Sequence, residues 1–218
     1  RNKSAPPFVG LQKRESRVTE RFTEIGTYYD RLVEEFGHDP RACDYGRPES
    51  QAAKFRVISE VMPLAGKSLL DVGCGFADFA DYLDQHVPGV TYAGVDISEA
   101  MVAQARKRHS QCDIRRLNIL EESPGQYDVV TANGIFYLLG DGAPDLMGRL
   151  IATMFEAAGE AVAFNSLSAW AEDPEAGEFY ADPLEVTAFC RTLTPWVVMR
   201  HDYHGRDFTC YLYKNRRP

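Results

Sequence analysis

The sequence predicts an α/β fold, a doubly wound arrangement in which helices cover both faces of a mostly parallel sheet. Three observations carry this. From residue 67 onward, short apolar runs alternate with helix-length segments, the pattern of β-α-β units. One of these runs, Leu69-Leu70-Asp71-Val72, passes directly into Gly73-Cys74-Gly75 and then into helical spacing. The chain closes on two strand-like runs, 196–203 and 207–214, with His204-Gly205-Arg206 between them. That hairpin pattern forces one antiparallel strand onto the sheet.

The elements follow in order. The first 21 residues carry Arg1, Lys3, Lys13, Arg14, Arg17 and Arg21 against Glu15 and Glu20. They read as a solvated basic tail leading into a helix, or as an arm that attracts anions near a substrate entrance. Val18, Phe22, Ile25, Tyr29, Leu32, Val33 and Phe36 recur at three and four residues. The spacing predicts an amphipathic helix over 16–36, interrupted near Gly26. A turn-rich loop over 37–48 precedes a second helix over 49–62, stopped by Pro63 and Gly66. Strands are then expected at 67–72, 90–96, 112–117, 127–132 and 160–165, with helices at 76–86, 99–109, 144–157 and 184–192. Ser98 opens the second of these helices as half of a capping box. Residues 1–62 read as a tail and helical cover, and 63–218 as the core.

Composition bounds the function. The chain has 218 residues, 44% apolar and 26% charged, with a net charge of −8 and pI ≈ 5.2. This is ordinary for a globular protein. No basic stripe is present to meet phosphates, so neither nucleic acid nor a membrane surface is an expected partner. Apolar runs are too short for a membrane span, and residues 1–10 show no signal-peptide pattern. Cys43, Cys74, Cys112, Cys190 and Cys210 are odd in number and widely spaced. They predict reduced packing thiols in a cytoplasmic protein rather than a disulfide framework or a zinc site.

The glycine turn carries the chemistry. Glycines there let backbone pass close to a ligand and open a helix N-terminus toward it. Asp96 ends the next strand, 21 residues beyond Gly75, where a carboxylate can accept both hydroxyls of a ribose. Asp78 occupies the place where a dinucleotide fingerprint wants glycine or alanine. Asp71, two residues before the turn, would repel a pyrophosphate. A ligand with a cationic amino group, a sulfonium and a ribose fits better, and S-adenosylmethionine has all three.

Here the chain resembles the class I S-adenosylmethionine-dependent methyltransferases of small-molecule type. The resemblance runs over residues 28–214. It rests on Leu69-Leu70-Asp71-Val72-Gly73-Cys74-Gly75 with Phe76, on Asp96, on Tyr127-Asp128-Val129-Val130 leading to Asn133-Gly134, and on Asp207-Phe208-Thr209-Cys210-Tyr211-Leu212-Tyr213. It implies a Rossmann-like seven-stranded sheet of order 3-2-1-4-5-7-6 with the last strand antiparallel. It also implies S-adenosyl-L-methionine as cofactor, with S-adenosyl-L-homocysteine as product. By the same resemblance Asp71, Gly73 and Gly75 lie under the methionine portion, and Asp96 takes the ribose. Ile97 and Met101 wall the adenine. Asn118 and Ile119 stand where the family often has an acidic residue near the adenine amino group. Asn133 and Gly134 lie beside the transferable methyl. Tyr28-Tyr29-Asp30 resembles the tyrosine-bearing helix that covers the cofactor, and Tyr45 and Arg47 are candidates for the methionine carboxylate.

Methyl transfer from a sulfonium is an in-line displacement in which alignment does most of the work. Residues just past each strand are therefore the acceptor candidates: Tyr137, Asn165 and Trp170, with Tyr28 from the cover. His204, in the hairpin turn, is the candidate general base; a surface-turn histidine is the competing reading. No metal-ligand spacing is present, so metal-independent transfer to oxygen or nitrogen of a small molecule is expected. A protein or carrier-bound acceptor, and a non-catalytic cofactor-binding subunit, are the alternatives.

Overall fold

The computed structural model describes residues 8–43 and 48–216; Tyr45 and Arg47 lie outside the described residues. Seven strands form one sheet: β1 (Ser68–Val72), β2 (Thr91–Asp96), β3 (Asp113–Arg116), β4 (Tyr127–Ala132), β5 (Ala158–Leu167), β6 (Val197–Arg200) and β7 (Asp207–Tyr213). Their order is β3-β2-β1-β4-β5-β7-β6. The first five in that order pair in parallel, and β7 runs antiparallel to both β5 and β6. The strand count and order are those implied by the resemblance.

Among the described residues six α-helices accompany the sheet: α1 (Phe8–Phe36), α2 (Pro48–Ser59), α3 (Asp78–His86), α4 (Glu99–Arg108), α5 (Ala143–Ala157) and α6 (Pro183–Leu193). Successive strand residues point to opposite faces, and both faces are buried. Leu69, Val129 and Ala161 pack with Phe55 and Ile58 of α2, Phe79 and Leu83 of α3, and Val102 of α4. Their neighbours Leu70, Val130 and Val162 pack with Phe22 of α1, Leu150 and Met154 of α5, and Cys190 of α6. The buried apolar residues Leu69-Leu70 of β1 and Val129-Val130 of β4 are what a sheet covered on both sides requires.

Two expectations are corrected. The first helix is not interrupted at Gly26. A Cβ there would stand 3.2 Å from the Ile97 carbonyl oxygen, so the glycine lets an unbroken helix lie against the backbone beyond β2. His201 lies past β6 rather than within the strand, because this edge strand ends at Arg200 and the His201 ring turns to Ser168 Oγ at 2.7 Å. No helix among the described residues is long and apolar enough to cross a membrane.

Helix α1 is fastened across the carboxyl ends of the strands. Arg21 Nε donates to the Leu138 carbonyl at 2.9 Å. Asp30 Oδ1 accepts from Ser98 Oγ at 2.6 Å and from the Ala100 N–H at 3.0 Å, so α1 helps cap the N-terminus of α4. Helix α2 and the turn after it are held to β7 by two buried tyrosines, Tyr211 donating to the Val57 carbonyl and Tyr213 to the Val61 carbonyl, the latter at 2.8 Å. Tyr213→Phe leaves that carbonyl short of its donor. It is expected to cost about 1 kcal/mol and to lower Tm by roughly 2–4 °C in thermal denaturation. An unchanged Tm would show that this bond does not hold the end of α2 in place.

Candidate active site

The carboxyl ends of β1, β2, β4 and β5 open into one cavity, with Phe22, Ile25 and Tyr29 of α1 closing over it. Open α/β sheets place their ligands at this edge. Gly73 and Gly75 line the cavity with φ of 73° and 54°. A Cβ on Gly73 would meet Ile135 Cγ2 at 2.3 Å, so only glycine fits. Ala77, fully buried one residue before α3, has φ 60° without glycine's freedom, a conformation that costs roughly 1–2 kcal/mol.

Asp96 ends β2 with both oxygens facing backbone donors. Oδ2 accepts from the Gly75 N–H at 2.8 Å and Oδ1 from the Ser98 N–H at 2.9 Å. Burial raises its carboxyl above the usual range despite these bonds. Each carboxylate oxygen has a second lone pair, so capacity for ribose hydroxyls remains. Asp71 is buried beneath the turn. Its carboxyl takes hydrogen bonds from Tyr92 Oη at 2.9 Å and Thr131 Oγ1 at 3.1 Å. Burial raises it to about 7, outweighing those two bonds.

Ile97, Met101 and Ile119 line the same cavity and supply an apolar wall on the β2–β3 side. Asn118 also lines it, but its Oδ1 already accepts from the Leu120 N–H at 3.1 Å. Asn133 and Gly134 follow β4. Tyr29 and Tyr137 both line the cavity and their hydroxyls lie 2.6 Å apart, joining α1 to the segment after β4. The glycines, Asp96 and the apolar wall thus share one cavity.

Four predicted residues are not brought to the cavity. Tyr28 is 39% exposed and packs edge-on against Tyr29. Trp170 is 47% exposed and lies over His201, because the segment after β5 turns outward at Ser168. Asn165 is fully buried and accepts the Gly134 N–H at 2.8 Å, which ties β5 to the turn after β4. His204 stands behind the lining. Its Nδ1 is 2.8 Å from Asp207 Oδ2 and its Nε2 is 3.1 Å from Ser50 Oγ, so both ring nitrogens are engaged.

Asp207 takes the facing position instead, with Lys54 Nζ 3.1 Å from its Oδ1; both residues line the cavity. Burial pushes the Asp207 carboxyl up, but the His204 hydrogen bond and the Lys54 ammonium outweigh it and hold it below the usual range. Sequence reasoning missed this pair. The signal was a lysine on the same helical stripe as Gln51, Phe55 and Ile58, and an aspartate opening an otherwise apolar strand. Among the described residues no group of three His, Cys, Asp or Glu side chains is placed to hold a metal ion.

A family profile described as a methyltransferase domain matches residues 70–157, which hold the glycine turn, Asp96 and Asn133. Over that segment the chain is similar to methyltransferase domains. The chain is 40% identical over an 81-residue stretch to a ubiquinone biosynthesis O-methyltransferase of Pseudomonas paraeruginosa. That stretch covers 34% of each chain, so the match spans about a third of the relative's length. A Mycobacterium tuberculosis protein named as a methyltransferase is 28% identical over 167 residues, covering 73% of this chain and 99% of that one. The fold is also that of magnesium protoporphyrin IX methyltransferase from Synechocystis, solved with bound SAH. Their TM-score is 0.66 at 14% identity, over 88% of this chain and 99% of the other.

Two outcomes follow from the cradle. Ala77→Gly relieves the left-handed strain and is expected to stabilise the protein by about 1 kcal/mol, read as a higher denaturation midpoint; a lower midpoint would contradict the strain. Asp71 binds its proton more tightly folded than unfolded, so its contribution to stability is largest below its ordinary value near 3.8. It is lost as pH rises through about 7, by roughly 4 kcal/mol in total. Urea titrations from pH 5 to 8 should show the decline in the wild type and a flatter profile in Asp71→Asn. Identical profiles would place the decline on another group.

Proposed function

We propose that this methyltransferase moves the methyl group of S-adenosylmethionine to an oxygen or nitrogen of a small-molecule acceptor. One observation carries the reading: a strand-end carboxylate, Asp96, is hydrogen-bonded to a backbone N–H of the glycine turn, inside a cavity walled by apolar side chains. When bound, the cofactor supplies a sulfonium methyl that departs readily. Gly73 and Gly75 admit the methionine portion, and Asp96 accepts the ribose hydroxyls. Ile97, Met101 and Ile119 flank the adenine, with Asn118 at its edge. Asp71 is the buried carboxyl under the cationic end. Asn133 and Gly134 lie beside the methyl, and Tyr29 and Tyr137 close over it with water excluded.

The acceptor then lies above β5 and β7, next to Tyr137, Ser166 and Leu167, which line that part of the cavity. Similarity to a ubiquinone biosynthesis O-methyltransferase supports oxygen as the acceptor atom. His204 serves to orient Asp207 in this reading, rather than to accept a proton from the acceptor. No strong base is required where the acceptor loses its proton readily, and transfer proceeds without a metal. Residues 1–62 act as the cover of a 63–218 core. Five free cysteines support a reducing, cytoplasmic setting.

The test is incubation with isotopically labelled S-adenosylmethionine, a metabolite extract and a chelator, followed by mass spectrometry. A labelled small-molecule product is expected; label found only on protein, or nowhere, would contradict the proposal. Asp96→Ala is expected to weaken cofactor binding by about 2 kcal/mol, roughly thirtyfold. Calorimetry on the folded variant checks it, and an unchanged Kd would remove Asp96 from the ribose.

A further inference from the structure

At the acceptor end of the cavity the structure buries charges that the cofactor half does not use. The Lys54 side chain is 11% exposed and that of Asp207 3%. Burying such a pair costs desolvation that apolar side chains would not. Phe55, Phe79, Leu138 and Leu167 line the same cavity, with Gln51, Ser166 and Glu178 as its further polar groups on the α2 and β5 side. Asp207 pairs with Leu167 across β5–β7, and Phe164 pairs with Ala132 across β4–β5. Asp207 therefore stands two strands beyond Asn133, roughly 10 Å to the side. That distance suits the far end of an acceptor, away from the reacting atom.

We propose that the Lys54–Asp207 pair is the acceptor-recognition subsite and takes a neutral hydroxyl on an apolar ring. The hydroxyl donates to Asp207 and accepts from Lys54 Nζ. The inference rests on the methyltransferase reading. Charge balance selects the head group. Lys54 is matched by Asp207, and Asp207 is backed by His204, which Ser50 holds from α2. Glu178, the other carboxylate lining this end, is tied to Arg206 at 3.2 Å and to Tyr180 Oη at 2.5 Å. A carboxylate ligand would face Asp207 and Glu178, and an ammonium would face Lys54; either meets a like charge in a poorly solvated space. A hydroxyl is both donor and acceptor and adds no charge.

The test uses the wild-type protein saturated with S-adenosylhomocysteine and four probes on one ring: phenol, anisole, benzoate and benzylamine. Affinities are read by ligand-observed NMR titration. Phenol is expected to bind at least fivefold more tightly than each of the others. That preference is expected to fall below twofold in Lys54→Met, Lys54→Gln and Asp207→Asn. Two lysine variants are included because a buried methionine and a buried glutamine do not share the same folding hazard. Calorimetry with S-adenosylhomocysteine should give Kd values within twofold of wild type for the folded variants. The subsite is overturned if benzoate or benzylamine binds best, if phenol shows no advantage or no binding, or if its advantage survives in the folded variants. It is also overturned if those variants lose S-adenosylhomocysteine. Failure of the wild type to bind S-adenosylhomocysteine would instead sink the methyltransferase reading itself.

Discussion

One buried carboxylate joins the parts on which the site depends. Asp96 sits at the tip of β2 and receives backbone N–H groups from two separate segments, Gly75 after β1 and Ser98 before α4. It fixes the glycine turn against the neighbouring strand end and orients the first turn of α4. A carboxylate placed there satisfies donors that would otherwise be buried without partners, which is why the position tolerates the raised proton affinity that burial imposes. The same geometry leaves lone pairs toward the cavity. Structural support and spare acceptor capacity facing the cavity are thus supplied by one side chain.

The cover is built on that base through polar contacts. Asp30 meets the start of α4, Arg21 meets the Leu138 carbonyl, and Tyr29 meets Tyr137. Gly26 allows the helix to approach closely enough for these bonds to form. His38 reaches Asp78 at 3.2 Å and packs edge-on against Phe76, extending the contact to the start of α3. On the β5–β7 side, α2 and the turn after it are held by the hydroxyls of Tyr211 and Tyr213. Its inward lysine is thereby set against the first residue of β7. The β2–β3 and β5–β7 sides share one cavity but are supported by different helices.

Much of this was legible in the sequence, for local reasons. β4 matches the expected 127–132 because a continuous apolar run is bounded by Gly125 before it and Asn133-Gly134 after it. The turn residues Gly73 and Gly75 and the strand-end Asp96 were found from spacing along adjacent strands, which parallel pairing preserves. Gly26 was misjudged because helix propensity sees a break where tertiary contact needs a missing side chain. Asn165, Trp170 and His204 were placed by the rule that residues after strands face the ligand. That rule does not foresee that Asn165 turns back to Gly134 or that Asp207 steps in front of His204. Lys54 met Asp207 across 153 positions, and no local pattern announces a partner so distant.

A crystal structure with S-adenosylhomocysteine tests the central assignment most directly. The account predicts the ribose hydroxyls at hydrogen-bond distance, about 2.7–3.2 Å, from the Asp96 carboxylate. It predicts the adenine between Ile97, Met101 and Ile119, and the sulfur directed toward Asn133. Ligand bound with its ribose away from Asp96, or with its sulfur pointing toward β3 instead of β4, would contradict it.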